Sequence, residues 1–162
     1  MSVSGVPSPR SIGVVTPEEL RSFSGLEFLR RVVAGELPAP PISETLNFSI
    51  REVDKGRVVF AGTPEFRFYN PLGSVHGGWA ATLLDSCMGC AVHSALEAGQ
   101  GYTTLELKVN FVRALSEHVG RIEAEGRLLH LGKRVATAEG RLQGPDGTLY
   151  AHGTTTCLIL GA

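Results

Sequence analysis

Asp85 is the only charged residue between Gly77 and Leu96. A carboxylate in so apolar a run is costly to bury unless something hydrogen-bonds it or pairs with it. Its one-turn neighbours, Ala81, Thr82, Met88 and Gly89, form no charged face that would carry it to solvent. Such a group can take a proton from water as a general base or attack a carbonyl directly. The same run opens with His76-Gly77-Gly78. Amides at a helix start attract developing negative charge, and glycine lets a substrate approach the backbone. A carbonyl aimed at the Gly77 amide would be polarised as in an oxyanion hole. Each feature also has a structural reading: Asp85 on a solvent-facing stripe, and glycines that only serve a tight loop-to-helix junction.

Other reactive side chains carry less. Cys87-Met-Gly-Cys90 has C-x-x-C spacing, but it falls inside a helical apolar pattern and reads as buried core. Three cysteines are too few, and odd in number, for a disulfide framework. His76, His93, His118, His130 and His152 have no metal-ligand spacing with a carboxylate or thiolate. No metal and no cofactor are expected.

The elements that must position Asp85 follow from patterning. Residues 1–16 read as a flexible tail rich in Ser, Pro and Gly, with no signal-peptide character. Ser24-Gly-Leu-Glu27 fits a capping box, and Leu26, Leu29, Val32 and Val33 recur at helical spacing up to Gly35. Leu37-Pro-Ala-Pro-Pro41 reads as a stiff linker, so residues 17–41 form an N-terminal helix and linker. Residues 42–162 form the main domain. Two short strands come first, about Leu46–Ile50 and Arg57–Ala61. A loop over Phe66–Gly73 leads to a long helix from Gly77 to about Ala98, and the rest is strands, with a hairpin at Gly144-Pro-Asp-Gly147. One antiparallel sheet wrapped around one central helix is the simplest α+β architecture, and it leaves a surface for a second chain to cover.

With 15 Lys and Arg against 16 Asp and Glu, the net charge is −1. That balance disfavours nucleic-acid and polybasic membrane partners. The polar residues within Gly77–Leu96 argue against a membrane span, so a cytoplasmic protein is expected.

Asn70-Pro-Leu-Gly-Ser-Val-His-Gly-Gly78, then Thr82-Leu-Leu-Asp85 and Leu107-Lys-Val-Asn-Phe-Val-Arg113, resemble the signature of hotdog-fold acyl-CoA thioesterases of the phenylacetate-pathway (PaaI-like) branch. The resemblance covers roughly residues 42–160. It implies a catalytic carboxylate at Asp85, as general base or nucleophile, and a carbonyl-polarising amide at Gly77. It also implies a positioning amide at Asn70, an orienting His76, and a water-holding strand hydroxyl at Thr103, with Thr104 as rival. Gly78 and Thr104 would contact substrate, and Arg113, Lys133 and Arg134 are the candidates for the CoA phosphates. Trp79, Phe68 and Tyr69 could line an acyl pocket or simply pack.

Asp85 follows Gly77 by eight residues, about 12 Å along a helix at ~1.5 Å per residue. One thioester carbon cannot touch both on the same helix. If both act on one carbonyl, Asp85 must come from a second chain, so a homodimer is expected, with a dimer of dimers beyond it. The expected reaction is hydrolysis of an acyl- or aryl-CoA to free acid and CoA. A non-catalytic acyl-CoA-binding module on the same fold is the alternative, and a hydratase would need a different local motif.

Overall fold

The alternating second half of the chain forms a sheet that curls around a single buried helix. This computed structural model describes residues 11–161. Its strands are β1 (Phe48–Asp54), β2 (Arg57–Gly62), β3 (Gly101–Phe111), β4 (Ile122–Leu131), β5 (Val135–Gln143) and β6 (Leu149–Leu160). They pair antiparallel in the order β1-β2-β4-β5-β6-β3. The long helix, here α4 (Gly77–His93), leaves β2 near one edge and delivers the chain to β3 at the other. Each edge strand carries a register shift, at Ile50/Glu52 in β1 and at Thr104/Glu106 in β3.

The core lies between α4 and the concave face of the sheet. Leu83, Leu84, Cys87 and Met88 have no exposed surface. Burying each of the larger side chains contributes about 1.5–3 kcal/mol. The helix lies close to the sheet because small residues face it: a Cβ on Gly126 would run into the Cys87 carbonyl, and one on Gly140 would lie 2.9 Å from Met88 Cγ.

α4 ends at His93, five residues before the expected Ala98. The cause is tertiary. Ser94 Oγ donates to the Ala91 carbonyl at 2.7 Å and accepts the Gly56 amide at 2.8 Å. Gly25 N–H donates to the Leu96 carbonyl at 3.1 Å, and a Cβ on Gly25 would collide with the His93 carbonyl. The helix end is therefore closed by the start of α2 (Gly25–Ala34), which runs from the Ser24 cap to Gly35 at φ 77° as its sequence predicts. Leu29 and Val32 of α2 are buried in the core.

Two short helices were not expected. α1 (Pro17–Ser22) has a full capping box between Thr16 and Glu19 but buries nothing, so it has no apolar period to betray it. α3 (Pro41–Thr45) starts inside the proline-rich linker, where Pro41 is tolerated in the first turn. Part of the expected tail, residues 1–10, lies outside the described residues. The rest is not free: Gly13 N–H donates to the Ala39 carbonyl at 3.0 Å and Ala39 N–H to Ser11 at 2.8 Å.

Candidate active site

The helix start is built by its cap. His76 Nδ1 accepts the Gly78 amide at 2.8 Å, and the Trp79 amide bonds the His76 carbonyl at 2.9 Å. Gly78, expected to contact substrate, thus has its amide committed to the cap. Its missing Cβ matters because one would lie 2.9 Å from His76 Nδ1. The Gly77 amide has no acceptor among the described residues. It is the donor left over at the start of a helix, where donors are orphaned.

Gly77 borders a cavity of about 330 Å³, with Asn70, Phe111, Arg113 and Tyr150 also on its walls. Phe111, 58% exposed, extends over the helix start: a Cβ on Gly77 would meet its ring at 3.0–3.4 Å. Asn70 holds its own loop, with Oδ1 accepting the Leu72 amide at 2.9 Å and the Ser74 amide at 3.3 Å. Its Nδ2 donates to Ser74 Oγ at 3.1 Å. The loop is tied further by Tyr69, whose hydroxyl accepts the Glu117 amide at 2.9 Å.

Asp85 lies outside this cavity, half-buried, two turns along α4. Thr104 Oγ1 donates to Asp85 Oδ1 at 3.0 Å. Thr104 and Thr103 sit on opposite faces of β3, because side chains alternate along a strand. Thr104 pairs with buried Cys157 and faces α4, whereas Thr103 is exposed. The hydroxyl beside the carboxylate is thus that of Thr104, and Thr103 is not brought to Asp85 of its own chain.

Arg113 is at the cavity. Lys133 and Arg134 are not: they occupy the β4–β5 turn, beside the Gly101 end of β3, whereas Gly77 lies beside its Phe111 end. One chain does not bring the three cations together. Trp79 is 3% exposed and stacks on buried Phe68 with ring centroids 6.1 Å apart, so both pack in the core instead of lining the cavity. Burial pushes the Cys90 thiol up to about 12 and raises Cys87 as well, which disfavours the nucleophilic thiolate at both. Phe111 and Tyr150 were missed as site residues. Their only sequence signal was strand alternation, which does not reveal what a strand's end will cover.

The thioesterase superfamily model matches residues 72–151, the stretch that holds the helix start, Asp85 and Thr104. A phenylacetic acid degradation-related protein of Ralstonia eutropha, provisionally named a thioesterase, superposes with a TM-score of 0.73 at 33% identity, over 81% of this chain and 98% of that one. The chain belongs to the thioesterase superfamily. Its fold is the hotdog fold, and by class it is a thioester hydrolase. Two further relatives are more distant. A provisionally named esterase of Pseudomonas aeruginosa is 29% identical over 65% of this chain and 72% of its own length. The 1,4-dihydroxy-2-naphthoyl-CoA hydrolase of Listeria monocytogenes is 25% identical over 57% of this chain and 73% of its own. Among the described residues no helix is long and apolar enough to cross a membrane.

Proposed function

We propose that this thioester hydrolase acts on an acyl- or aryl-CoA, releasing the free carboxylic acid and CoA. The observation that carries the reading is the Gly77 amide, without an acceptor among the described residues and bordering a cavity, on the same helix as the Thr104-bonded Asp85. The thioester carbonyl accepts from the Gly77 N–H, which stabilises the oxyanion as it forms. Asp85 takes a proton from water as the water oxygen attacks the carbonyl carbon. The tetrahedral intermediate then expels the CoA thiolate, which recovers the proton. Thr104 holds one carboxylate oxygen and leaves the other for water. Direct attack by Asp85, through a mixed anhydride that water then opens, uses the same geometry. His76 fixes the helix start and is not the base, since its Nδ1 is occupied as an acceptor. Asn70 holds the loop that walls the cavity.

Gly77 and Asp85 of one chain are too far apart to share a carbonyl, so the working site is composite. β3 is an edge strand whose Leu105 and Phe111 are 59% and 58% exposed. Pairing two copies along β3 sets their α4 helices antiparallel and carries the second chain's Asp85 toward this Gly77. The same symmetry brings the second chain's Lys133 and Arg134 toward the mouth that holds Arg113, where CoA phosphates would bind. The test is a hydrolysis screen over short, medium, long and aromatic acyl-CoAs, with a thiol reagent reporting free CoA. Saturable turnover of at least one class, lost in Asp85→Asn, is expected. No turnover of any class would favour a binding module instead.

A further inference from the structure

A second cavity, of about 350 Å³, shares no residue with the first. It lies where α3 meets the ends of β1, β2 and β4. Arg51 and Arg121 border it, along with Ser43, Ser49 and Thr63, over a floor of Ala61 and Gly62. Arg51 is the extra residue at the β1 register shift between Ile50 and Glu52. A bulge re-aims the side chain it displaces. Arg51 makes no ion pair among the described residues, and Arg121 has only an exposed contact with Glu123 at 3.5 Å. Arg51 of β1 and Arg121, which directly precedes β4, lie on either side of β2, about 10 Å apart across the sheet at ~4.8 Å per strand and further offset along it, since Arg51 lies beside Val59 and Phe60 and Arg121 beyond Gly62. The small floor residues leave the space between them open. Glu44, also on the wall, adds one acceptor that suits a hydroxyl or amine on the ligand.

We infer that this cavity is an oxyanion-binding site, distinct from the hydrolytic one, for a small hydroxylated metabolite bearing a phosphate or carboxylate. Guanidinium pairs with planar donors are suited to such groups, and the volume leaves room for an organic portion beyond the anion. The site is linked to the helix that carries Asp85 through one residue beyond its wall. Asn47 lines it in the left-handed region at φ 51°, and the carbonyl of the preceding Leu46 accepts the Trp79 indole N–H at 2.8 Å. Trp79 is two residues beyond Gly77, so occupancy is transmitted to the start of α4.

Trp79 is the only tryptophan, so its emission reports the site. The full-length protein is titrated with inorganic phosphate and, separately, with acetate and citrate at constant ionic strength. A saturable change with phosphate or with a carboxylate is expected, and the one that saturates identifies the anion. In Arg51→Ala the dissociation constant should rise about tenfold or more, the size of one lost charge-assisted hydrogen bond. Arg51→Lys, which keeps the charge, should bind within a few fold of the parent. Arg113→Ala should leave the titration unchanged. The assignment is overturned if no probe saturates, if Arg51→Ala titrates like the parent, or if Arg113→Ala alone abolishes the signal.

Discussion

Thr104 Oγ1 sits 3.0 Å from Asp85 Oδ1, joining the strand that follows the helix to the one carboxylate within it. The bond spans 19 residues and fixes the rotamer of a group that would otherwise swing at the open side of α4. Thr104→Val should therefore lower kcat by about tenfold or more while leaving the fold intact, since a mispositioned base loses much of its effect. Thr103→Val, on the opposite face, should change kcat less than twofold, an expectation drawn from its exposure. Steady-state kinetics on the two variants side by side decide which hydroxyl matters.

Asp85→Asn should cost about 10²–10⁴-fold in kcat, the usual contribution of a positioned acid or base, with an unchanged melting temperature. Single-turnover hydrolysis in ¹⁸O-water reveals a mixed anhydride that opens at the Asp85 carboxyl carbon. General-base catalysis puts the label in the first acid released. A mixed anhydride opened at the Asp85 carboxyl carbon puts it first on Asp85.

The composite site proposed above predicts complementation. Asp85→Asn and Asn70→Ala proteins should each be nearly inactive, the second because its loop loses the bonds to Leu72 and Ser74. After subunit exchange, the mixed dimer holds one site with both residues intact and should recover a sizeable fraction of parental activity. Heterodimers proven by mass spectrometry that show no recovery would place the whole site within one chain.

His93 predicts how stability depends on pH. Its ring is buried between Phe28 at 5.5 Å and Tyr102 at 5.6 Å, and burial lowers its affinity for a proton. The unfolded chain then binds the proton more readily than the folded one, so stability rises with pH. The contribution is full above the ordinary histidine value near 6.5 and is lost as pH falls from there toward the lowered folded value. His93→Phe should flatten the melting temperature over that acidic range. An identical pH dependence in the variant would assign the effect to other groups.

Gly25→Ala tests the lock between α2 and the end of α4. The added methyl has no room against the His93 carbonyl, and overpacking of this kind costs about 1–3 kcal/mol. Thermal unfolding should show the loss, and proteolysis should cleave first between residues 16 and 36.

Much of this was legible in the sequence because the strands alternate and the long apolar run has a single carboxylate. The positions of the strands along the chain, the helix start and the Asn70 loop all follow from such local patterns. The missing parts are tertiary. α4 stops at His93 because Gly25 closes over it, a contact between segments far apart in sequence. Thr103 and Thr104 are adjacent and chemically alike, so only the register of β3 against β6 could tell them apart. Arg113, Lys133 and Arg134 share a charge but not a place, and no composition argument distinguishes one end of a sheet from the other.

The two edges of the sheet are unequal. Both edge strands are bulged, but β3 offers an exposed apolar border, whereas β1 carries Glu52 and Asp54, both paired with Arg57. A charged border is a poor template for another strand. Edge-to-edge growth is therefore self-terminating: joining two copies along β3 consumes both adhesive borders and leaves two inert ones. A fibre cannot propagate by that route, and any assembly larger than a pair has to be built through the faces of the sheet.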